Sequence, residues 1–514
     1  MKLSMIIGIV FVLAAIIGLG MYSGRKVKSA SDFLAGGGQA GPWLVCGTIM
    51  GSLVSSQATI GTAQLAFNYG LAAWWFTLGS GIGCLVLAVG YARPLRASGC
   101  MTELQIISRE YGPAAGSLGS VLCSVGIFIS VLAQVVACSG LISTLFPSFP
   151  ASLSAIAAIA VMCFYVIFGG AWGAGMGGVI KLLLLCAASV AGLAYTLAVS
   201  GGPGGLYAGL KQLLCGTELG ALQPAMGLSA LNSSADINAR FFNLTARGAM
   251  KDIGSGISLL LGVLSTQTYA QAIWSAKTDR KAKQGALLSA FLIPPIGIAG
   301  ISIGLFMRAN YITQAEADAL AALGRAVPDM PVLSGTIQAF PTFVIHHMPP
   351  LFAGVILGTL LVTVVGGGAG LSLGMATIMV KDIYKRVSRR IDSPERELAA
   401  TRVTIALSLA AAALITIFIP GSVINDLGFL SMGLRGTVVF LPLCGALWLP
   451  GKIDRRCIFA SIVLSPLAVI AAKLSACPVD PLFVGVAVSL VCSITGWSVA
   501  AGRQNRLSHR DSVR

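Results

Sequence analysis

Apolar segments long enough to cross a membrane recur along this entire chain. A transmembrane helix needs about 20 predominantly apolar residues, and about 13 such runs follow one another here with polar segments between them. We therefore predict an all-α polytopic membrane protein with about 13 transmembrane helices. The predicted spans are 3–23, 43–66, 71–92, 115–145, 151–168, 173–199, 253–273, 285–306, 351–379, 401–419, 422–448, 457–474 and 481–501.

The composition excludes a water-soluble protein. Charged residues make up 10% of the chain and the mean hydropathy is +0.87, whereas soluble domains carry roughly 25% charged residues. Lipid must therefore be the main solvent, so the bilayer is the first predicted partner. The net charge of +16 fits the usual excess of Lys and Arg in cytoplasmic loops. No basic patch interleaved with aromatic residues indicates a nucleic-acid partner.

No residue pattern indicates an enzyme, a cofactor or a metal site. The twelve cysteines lie mostly inside apolar runs and form no CxxC pair, so we expect small packed residues. His346 and His347 are neighbours, and adjacent side chains point apart on a helix. The sequence contains no phosphate-binding loop and no nucleophile elbow. We predict a protein that is not an enzyme, with no cofactor, no metal site and no evident obligate protein partner.

The distribution of Lys and Arg between the loops predicts the orientation. With the amino end outside, 24 Lys and Arg residues fall in cytoplasmic loops and eight in external loops. The reverse topology would invert this bias. We therefore expect an external amino terminus and a cytoplasmic carboxyl terminus in the plasma (inner) membrane. Two external segments, 200–252 and 307–350, are long enough to carry short helices of their own.

Two predicted spans combine glycine with small polar residues near the middle of the membrane. The second contains Ser55, Ser56 and Gln57, and the seventh contains Ser265 and Gln267. An unwound segment needs such residues, because its freed backbone groups must face a cavity instead of lipid. Paired interrupted helices in corresponding positions indicate a transporter binding site. The alternative is close helix packing through small residues.

Motifs along the chain resemble those of the sodium:solute symporter family, up to about residue 460. The first loop reads RKVKSASDFLAGG (25–37), the segment after the third span reads MTELQIISREYG (101–112), and span nine ends in KDIYKR (381–386), the most specific match. TQTYAQAIWSAKTDRKAKQGAL (266–287) and FLPLCGALWLPG (440–451) are also similar. The resemblance implies a leucine-transporter-type core of two inverted five-helix repeats (5+5), with alternating access around a central site.

That architecture implies five regions along the chain. They are 1–42, the first transmembrane helix and a cytoplasmic loop; 43–199, the first inverted repeat (spans 2–6); 200–252, an extracellular loop; 253–448, the second inverted repeat (spans 7–11); and 449–514, two peripheral helices and a cytoplasmic tail.

The chain departs from the family at positions that the resemblance assigns to a coupling sodium ion. Where the family has a pair of hydroxyl residues in span nine, this chain has Gly366 and Gly367. The family's Thr-Asp pair in span six corresponds to Gly177 and Gly178, and a glutamine that follows it corresponds to Lys181. The resemblance alone implies sodium symport, but these side-chain ligands are missing. The backbone carbonyls that could still contribute oxygens are those of Gly51, Val54 and Thr363.

Lys181 admits two interpretations. A lysine inside a membrane costs at least about 2.5 kcal/mol and needs a partner or a cavity. Its ammonium could fill the volume where sodium would sit, or its side chain could extend to the cytoplasmic interface. In the first case, transport would be coupled to protons if the buried amine exchanges its proton. Transport would be uncoupled if the amine keeps its charge throughout.

Arg435 is the other cation within a predicted span. No acidic residue lies well inside an apolar run, and Asp426, nine residues earlier, is too far along one helix for a direct pair. A guanidinium can grip a carboxylate with two hydrogen bonds, which favours an anionic substrate. The alternative is structural, with the side chain holding helix ends together through their carbonyls.

These features predict a secondary active transporter for a small solute, such as a carboxylate or an amino acid. A solute sensor on the same scaffold is the rival class, but only about 13 residues follow the last predicted span, which argues for transport. The few polar residues near the core favour a small solute over a sugar. The predicted substrate-binding residues are Ser55, Ser56, Gln57, Gln134, Ser265, Gln267 and Arg435. The predicted ion-site region comprises Gly51, Val54, Thr363, Gly366, Gly367 and Lys181.

Overall fold

Helices form nearly all of the regular structure of the chain. The computed structural model describes residues 2–24, 39–100, 102–169, 172–384, 394–418, 423–475 and 479–512. Within them, strands β1 (Ile312–Thr313) and β2 (Val332–Leu333) pair in parallel. In chain order the α-helices are α1 (Leu3–Gly24), α2 (Pro42–Leu53), α3 (Ile60–Tyr69), α4 (Trp75–Val86), α5 (Ala92–Ala97), α6 (Glu103–Tyr111), α7 (Pro113–Leu145), α8 (Ala151–Gly169), α9 (Trp172–Ser200), α10 (Pro203–Leu214), α11 (Glu218–Leu222), α12 (Ser234–Phe241), α13 (Ala249–Val263), α14 (Gln267–Ser275), α15 (Asp279–Asn310), α16 (Gln314–Ala322), α17 (Ala339–His347), α18 (Pro350–Ile378), α19 (Pro394–Phe418), α20 (Ile424–Trp448), α21 (Arg455–Leu474) and α22 (Pro481–Ser512). Short 3-10 helices lie at Ser56–Ala58, Gly70–Trp74, Gln223–Met226 and Thr336–Gln338, and π-helical turns lie at Leu87–Tyr91 and Met379–Tyr384.

The long helices fit a membrane-spanning bundle. In the part of the chain that the structure describes, nine helical segments are long and apolar enough to cross a bilayer. Shorter apolar stretches lie in α1, α2 and α8. Fewer than 13 segments meet the spanning length, partly because the predicted spans 43–66 and 253–273 are each interrupted. The count of about 13 spans therefore stays a prediction.

Contacts between helix ends distinguish the two ends of the bundle. At one end, which we call the loop end, Arg240 Nε donates to the carbonyl oxygen of Asn68 at 2.8 Å and so joins segment 200–252 to α3. At the opposite end, which we call the basic end, Arg96 Nε pairs with a carboxylate oxygen of Asp279 at 2.6 Å. Because the long helices run between these ends, each residue can be placed by its depth along its helix.

Both long loops contain short helices, as predicted. Segment 200–252 carries α10, α11 and α12, and segment 307–350 carries α16 and α17. Helix α16 begins with a capping box in which the side chains of Thr313 and Glu316 each accept a hydrogen bond from the other's backbone N–H. Such a box satisfies N–H groups that the helix leaves unpaired. Glu316 also accepts two hydrogen bonds from Arg308 at the end of α15, which ties the loop to the bundle.

Helices α4 and α13 approach each other closely through glycine. A Cβ on Gly79 would lie only 2.5 Å from the carbonyl oxygen of Gly256, so a larger residue there would push the helices apart. Gly256 therefore serves helix packing and does not unwind its helix. The interruption of this predicted span lies further along the chain, at 264–266.

Candidate functional site

Two interruptions bring free backbone groups to the middle of the bundle. Helix α2 ends at Leu53 and α3 begins at Ile60, with the 3-10 turn between them. Helix α13 ends at Val263 and α14 begins at Gln267. Both predicted breaks are present. Each break leaves carbonyls of one half-helix and N–H groups of the other without helical partners.

Three of the predicted substrate-binding residues meet at the first break. Ser56 Oγ donates to Gln134 Oε1 at 2.7 Å, and Gln134 Nε2 donates to Ser55 Oγ at 3.1 Å. All three side chains are buried. The amide of Gln134 thus bridges α7 to the unwound turn. Both of its polar atoms have protein partners, so this cluster is already largely satisfied.

Lys181 reaches the last turn of α2 from the neighbouring helix α9. Its Nζ donates to the carbonyl oxygen of Gly51 at 2.7 Å, and the residue is only 6% exposed. This geometry favours the interpretation in which the ammonium occupies the interior over the one in which it extends to the interface. Gly177 and Gly178, one turn before Lys181, lie in a part of α9 whose surroundings the structure does not describe.

Helix α18 borders the same cluster. It has glycine at the two positions where the family resemblance places hydroxyl side chains. A Cβ on Gly367 would lie 3.2 Å from Gln134 Oε1 and 3.6 Å from the Cβ of Ser55. Thr363 lies one helical turn before Gly367, and its Oγ1 is buried without a hydrogen-bond partner in the described part of the chain. Val54, whose carbonyl was a candidate ligand, and Gly366 complete this region.

Arg435 lies at the second break, on α20. Its Nη1 donates to Thr266 Oγ1 at 3.0 Å, and its Nη2 donates to Ser130 Oγ at 3.3 Å and to Ser431 Oγ at 3.1 Å. The side chain is 1% exposed, and none of the ion pairs between described residues includes it. Arg435 therefore joins α7, the second break and α20 through neutral oxygens, and its charge has no direct counter-ion among the described residues.

Gln57 belongs to a different group of polar atoms from its neighbours Ser55 and Ser56. Its Nε2 is buried without a hydrogen-bond partner among the described residues, and so are Nδ2 and Oδ1 of Asn425 at the start of α20. The two amides lie on adjacent segments: Gly428 faces Gln57 Nε2, and Gly61 faces the side chain of Asn425. Buried unpaired polar atoms are rare in native structures and often mark a place that a ligand or water occupies.

The residue that sequence reasoning missed in this group is Asn425. The available signal was an uncharged polar side chain inside the predicted span 422–448, but the pattern alone did not separate it from a helix-terminal residue. Only the packing of α20 against the first break shows that this amide is fully buried.

An aromatic pair and an arginine lie on the loop-end side of these amides. The rings of Phe76 and Phe429 are 5.9 Å apart, and the guanidinium of Arg247 lies 5.3 Å from the ring of Phe429. Arg247 Nε pairs with Asp252 at 2.6 Å, and its Nη1 pairs with Asp426 at 2.9 Å. Two rings beneath an ion-pair cluster therefore lie between the breaks and the loop end.

The remaining predicted residues, Ser265 and Gln267, lie on the basic-end side of Arg435. Ser265 Oγ is buried without a partner in the described part of the chain. Gln267 Oε1 accepts a hydrogen bond from the backbone N–H of Glu103 at 3.1 Å. Glu103 was also missed, because it lies in the polar segment after the third span and becomes buried only when α6 docks on the bundle.

Comparisons with solved structures place the fold among known transporters. The chain superposes on a Na+-coupled sialic acid symporter in a substrate-bound outward-open state, with a TM-score of 0.70, 17% identity, and coverage of 97% of this chain and 98% of the other. A nucleobase-cation-symport-1 family transporter with bromovinylhydantoin bound gives a TM-score of 0.53 at 12% identity, with coverage of 90% and 93%. At such identities the similarity establishes the fold.

Sequence comparison identifies the family. The chain is 22% identical to high-affinity choline transporter 1 of Torpedo marmorata over 460 residues, covering 87% of this chain and 73% of that protein. The model of the sodium:solute symporter family matches residues 33–448. That match covers most of the chain and contains both helix breaks and the polar residues around them. The chain therefore belongs to the sodium:solute symporter family.

Proposed function

We propose that this protein is a secondary active transporter that moves a small solute by alternating access, with the ammonium of Lys181 in the place of a coupling sodium ion. The observation that carries the proposal is the hydrogen bond of 2.7 Å from Lys181 Nζ to the carbonyl oxygen of Gly51, at the end of the first half-helix. A sodium ion bound to the same carbonyl would lie close to the ammonium and would be repelled by its charge.

The residues around Lys181 fit a sodium ion poorly. Hard cations take several oxygen ligands, and Gly366 and Gly367 contribute no hydroxyl where the family resemblance puts a pair. Thr363 Oγ1 is a buried oxygen to which no described residue donates a hydrogen bond, and one hydroxyl with a few carbonyls is a small ligand set. An ammonium needs only acceptors for its three N–H groups, and the carbonyl oxygen of Gly51 supplies one of them.

The mechanism has two versions, which differ in whether Lys181 exchanges its proton and which make the same prediction about sodium. If Lys181 exchanges its proton during the cycle, transport is coupled to the proton gradient. If it keeps its charge, transport is uncoupled. In both versions uptake does not require sodium. The competing function is sodium symport, which family membership favours and which would need a sodium site elsewhere in the chain.

The test compares sodium dependence in the parent and in Lys181→Gln. We expect the melting temperature of the purified parent to be equal in sodium chloride and potassium chloride, and uptake into proteoliposomes to persist in potassium. Lys211→Gln, at an exposed loop position, is the matched control. Strict sodium dependence of the parent would disprove the surrogate role. A pH response of uptake that is smaller in Lys181→Gln than in the parent would select the proton-exchanging version.

The substrate class follows from the polar groups at the two breaks. Arg435 is a buried cation that forms no ion pair with the described residues, so a cationic substrate beside it would be repelled, whereas a carboxylate would supply a complementary charge. The amide groups of Gln57 and Asn425 have polar atoms without a hydrogen-bond partner among the described residues, and these atoms could bind the rest of the substrate. The choline transporter relative is named for a cation, and on this point we propose that the present chain differs.

A thermal-shift comparison tests the substrate class directly. Lactate, proline and choline represent an anion, a zwitterion and a cation of small size. We expect stabilisation by members of the first two classes and none by choline, because only a carboxylate complements Arg435. Stabilisation by choline alone would contradict the proposed class, and it would leave the question of sodium dependence unaffected.

The finer architecture is part of the same proposal. Two helices broken at 54–59 and 264–266 support a core of inverted repeats at 43–199 and 253–448, with 1–42, 200–252 and 449–514 outside it. We propose about 13 spans, with the loop end outside and the basic end in the cytoplasm of the cell that carries this protein in its plasma membrane.

A further inference from the structure

Glu103 is an acid buried at the basic end of the bundle. It is the first residue of α6 and only 3% exposed. Its backbone N–H donates to Gln267 Oε1 at 3.1 Å, which fixes the start of α6 to the helix after the second break. None of the ion pairs between described residues includes its carboxylate. Helix α6 therefore carries a carboxyl group into the protein interior without a direct counter-ion.

The groups that face Glu103 come from several packed elements. The positive charge of Arg435 on α20 stabilises the ionised form of the Glu103 carboxyl. Cys123 of α7 and Tyr91 of the π-helical turn are neutral neighbours. Tyr269 of α14 lies beside Arg435. No titratable group of α21 within the described residues acts on Glu103. Burial raises the pKa of the Glu103 carboxyl to about 8, and Arg435 opposes this only in part.

The position of Glu103 on α6 makes its ionisation depend on where that helix lies. An acid in the first turn of a helix is stabilised in its ionised form by the backbone N–H groups and the helix dipole, provided that water reaches it. Docked against α7 and α20, the same carboxyl loses its hydration, which favours the neutral form. Docking of α6 and protonation of Glu103 are therefore linked.

We propose that Glu103 is a proton-binding site of the transport cycle: its carboxyl is neutral while α6 closes the basic end, and it releases its proton when α6 moves away from α14 and α20. The inference rests on the proposed function in assuming that the basic end opens during alternating access. It does not depend on Lys181, which lies at the other break and contacts different helices.

The sign of the pH effect follows from the two states. Below the ordinary pKa of a glutamic acid, about 4.3, both states bind the proton and pH has no effect. Between that value and about 8, the docked state binds the proton and the undocked state does not. Raising the pH through this range therefore weakens docking, by up to tenfold for each unit. Above it, both states are ionised and the effect ends.

Hydrogen–deuterium exchange of segment 102–112 in the purified full-length protein measures docking without knowledge of the solute. After correction for intrinsic exchange, we expect protection in the parent to fall at least tenfold between about pH 6 and about pH 8.5. Glu103→Gln, which mimics the neutral acid, should stay protected at both values. The matched control is Glu110→Gln on the same helix, whose Oε1 accepts from the backbone N–H of Gly451 and would remain an acceptor. It should behave like the parent.

Two further variants make the result decisive. Glu103→Asp keeps an acid at the same place, so it should keep the pH response, which a purely structural role of the side chain would not require. Lys181→Gln should leave the response of segment 102–112 unchanged, so that a failure of the sodium-surrogate role and a failure of this proposal give different results. Equal protection of the parent at both pH values, or a pH response that persists in Glu103→Gln, would overturn the assignment.

Discussion

At the scale of single residues, the two buried cations of the bundle have different surroundings. Lys181 donates to a backbone carbonyl in the last turn before the first break, whereas Arg435 donates to hydroxyl groups on two helices and in the second break itself. A fixed guanidinium that touches a helix break can serve both packing and substrate binding. Variants that separate charge from shape can distinguish these contributions.

For Arg435 we predict that Arg435→Gln lowers uptake of a stabilising carboxylate more than tenfold, because the charge that complements the carboxylate is lost. Arg435→Lys keeps the charge but not the planar fork, so we expect a raised KM with a smaller loss of kcat. Arg325→Gln, at an exposed loop position, is the control. Uptake that persists in Arg435→Gln protein, together with a lowered melting temperature, would assign Arg435 to structure alone.

Polar residues inside apolar spans can be recognised in the sequence, but the burial of a polar residue near a helix start cannot. Ser55, Ser56 and Gln134 were selected as polar residues in apolar spans, and they do meet. Asn425 and Glu103 were not selected, because each lies near a helix start, where polar residues are common for capping reasons. Their burial comes from contacts with helices distant in sequence, which no local pattern contains.

At the scale of elements, segment 307–350 is held to the bundle by a buried ion pair. Arg308 donates to both carboxylate oxygens of Glu316, at 2.8 and 2.7 Å. Burial raises the pKa of Glu316, but the charge and hydrogen bonds of Arg308, with donors from Thr313 and Gln223, outweigh this and lower it to about 2. The pair therefore contributes stability above the ordinary pKa of the acid, and that contribution is lost as the pH falls towards 2.

Breaking this pair should destabilise the folded protein. We predict that Glu316→Gln lowers the melting temperature at neutral pH, since removing one partner of a buried pair costs about 3–5 kcal/mol. The difference from the parent should narrow as the pH falls from about 4.3 towards about 2, where the parent loses the same interaction. Asp318→Asn, at an exposed position of the same helix, is the control. A difference that stays constant with pH would contradict the assigned role of the pair.

A second prediction at the scale of elements concerns the ion-pair cluster at the loop end. Arg247 bridges α13 and α20 through Asp252 and Asp426, and the side chain of Asp426 is 43% exposed, so water already reaches this side. Asp426→Asn should weaken the bridge and let the loop end open more often. A cysteine at Gln57, below the aromatic pair, should then react faster with a membrane-impermeant maleimide.

The labelling experiment needs two references. Protein without the Gln57→Cys change gives the reactivity of the native cysteines, and Glu218→Gln, an exposed loop position, gives the effect of removing a remote negative charge. We expect acceleration only in the Asp426→Asn background. Equal labelling rates in both backgrounds would mean that the bridge made by Arg247 does not limit the access of the maleimide to position 57.

At the scale of the whole molecule, apolar run length predicted the helices, and small polar residues predicted where two of them break. Both inferences depend on local properties, namely the length needed to cross lipid and the cost of unpaired backbone in it. The docking of α6 and the joining of the long loops to the bundle depend on contacts across the fold. Those features could be known only from the structure.

The burial of several cations in the fold supports the last prediction, which concerns the orientation in the membrane. Three of the eight cations assigned to the outside, Arg240, Arg247 and Arg308, are almost fully buried, and two of them pair with acids. The free positive charge at the loop end is thus smaller than the sequence count indicates, which strengthens the bias towards a cytoplasmic basic end. A reporter that is active only outside the cytoplasm should be silent when fused after Arg514 and active when fused within 203–214. The opposite pattern would reverse the orientation, and activity at both sites would contradict the odd number of spans, seven, that is predicted between the two fusion sites.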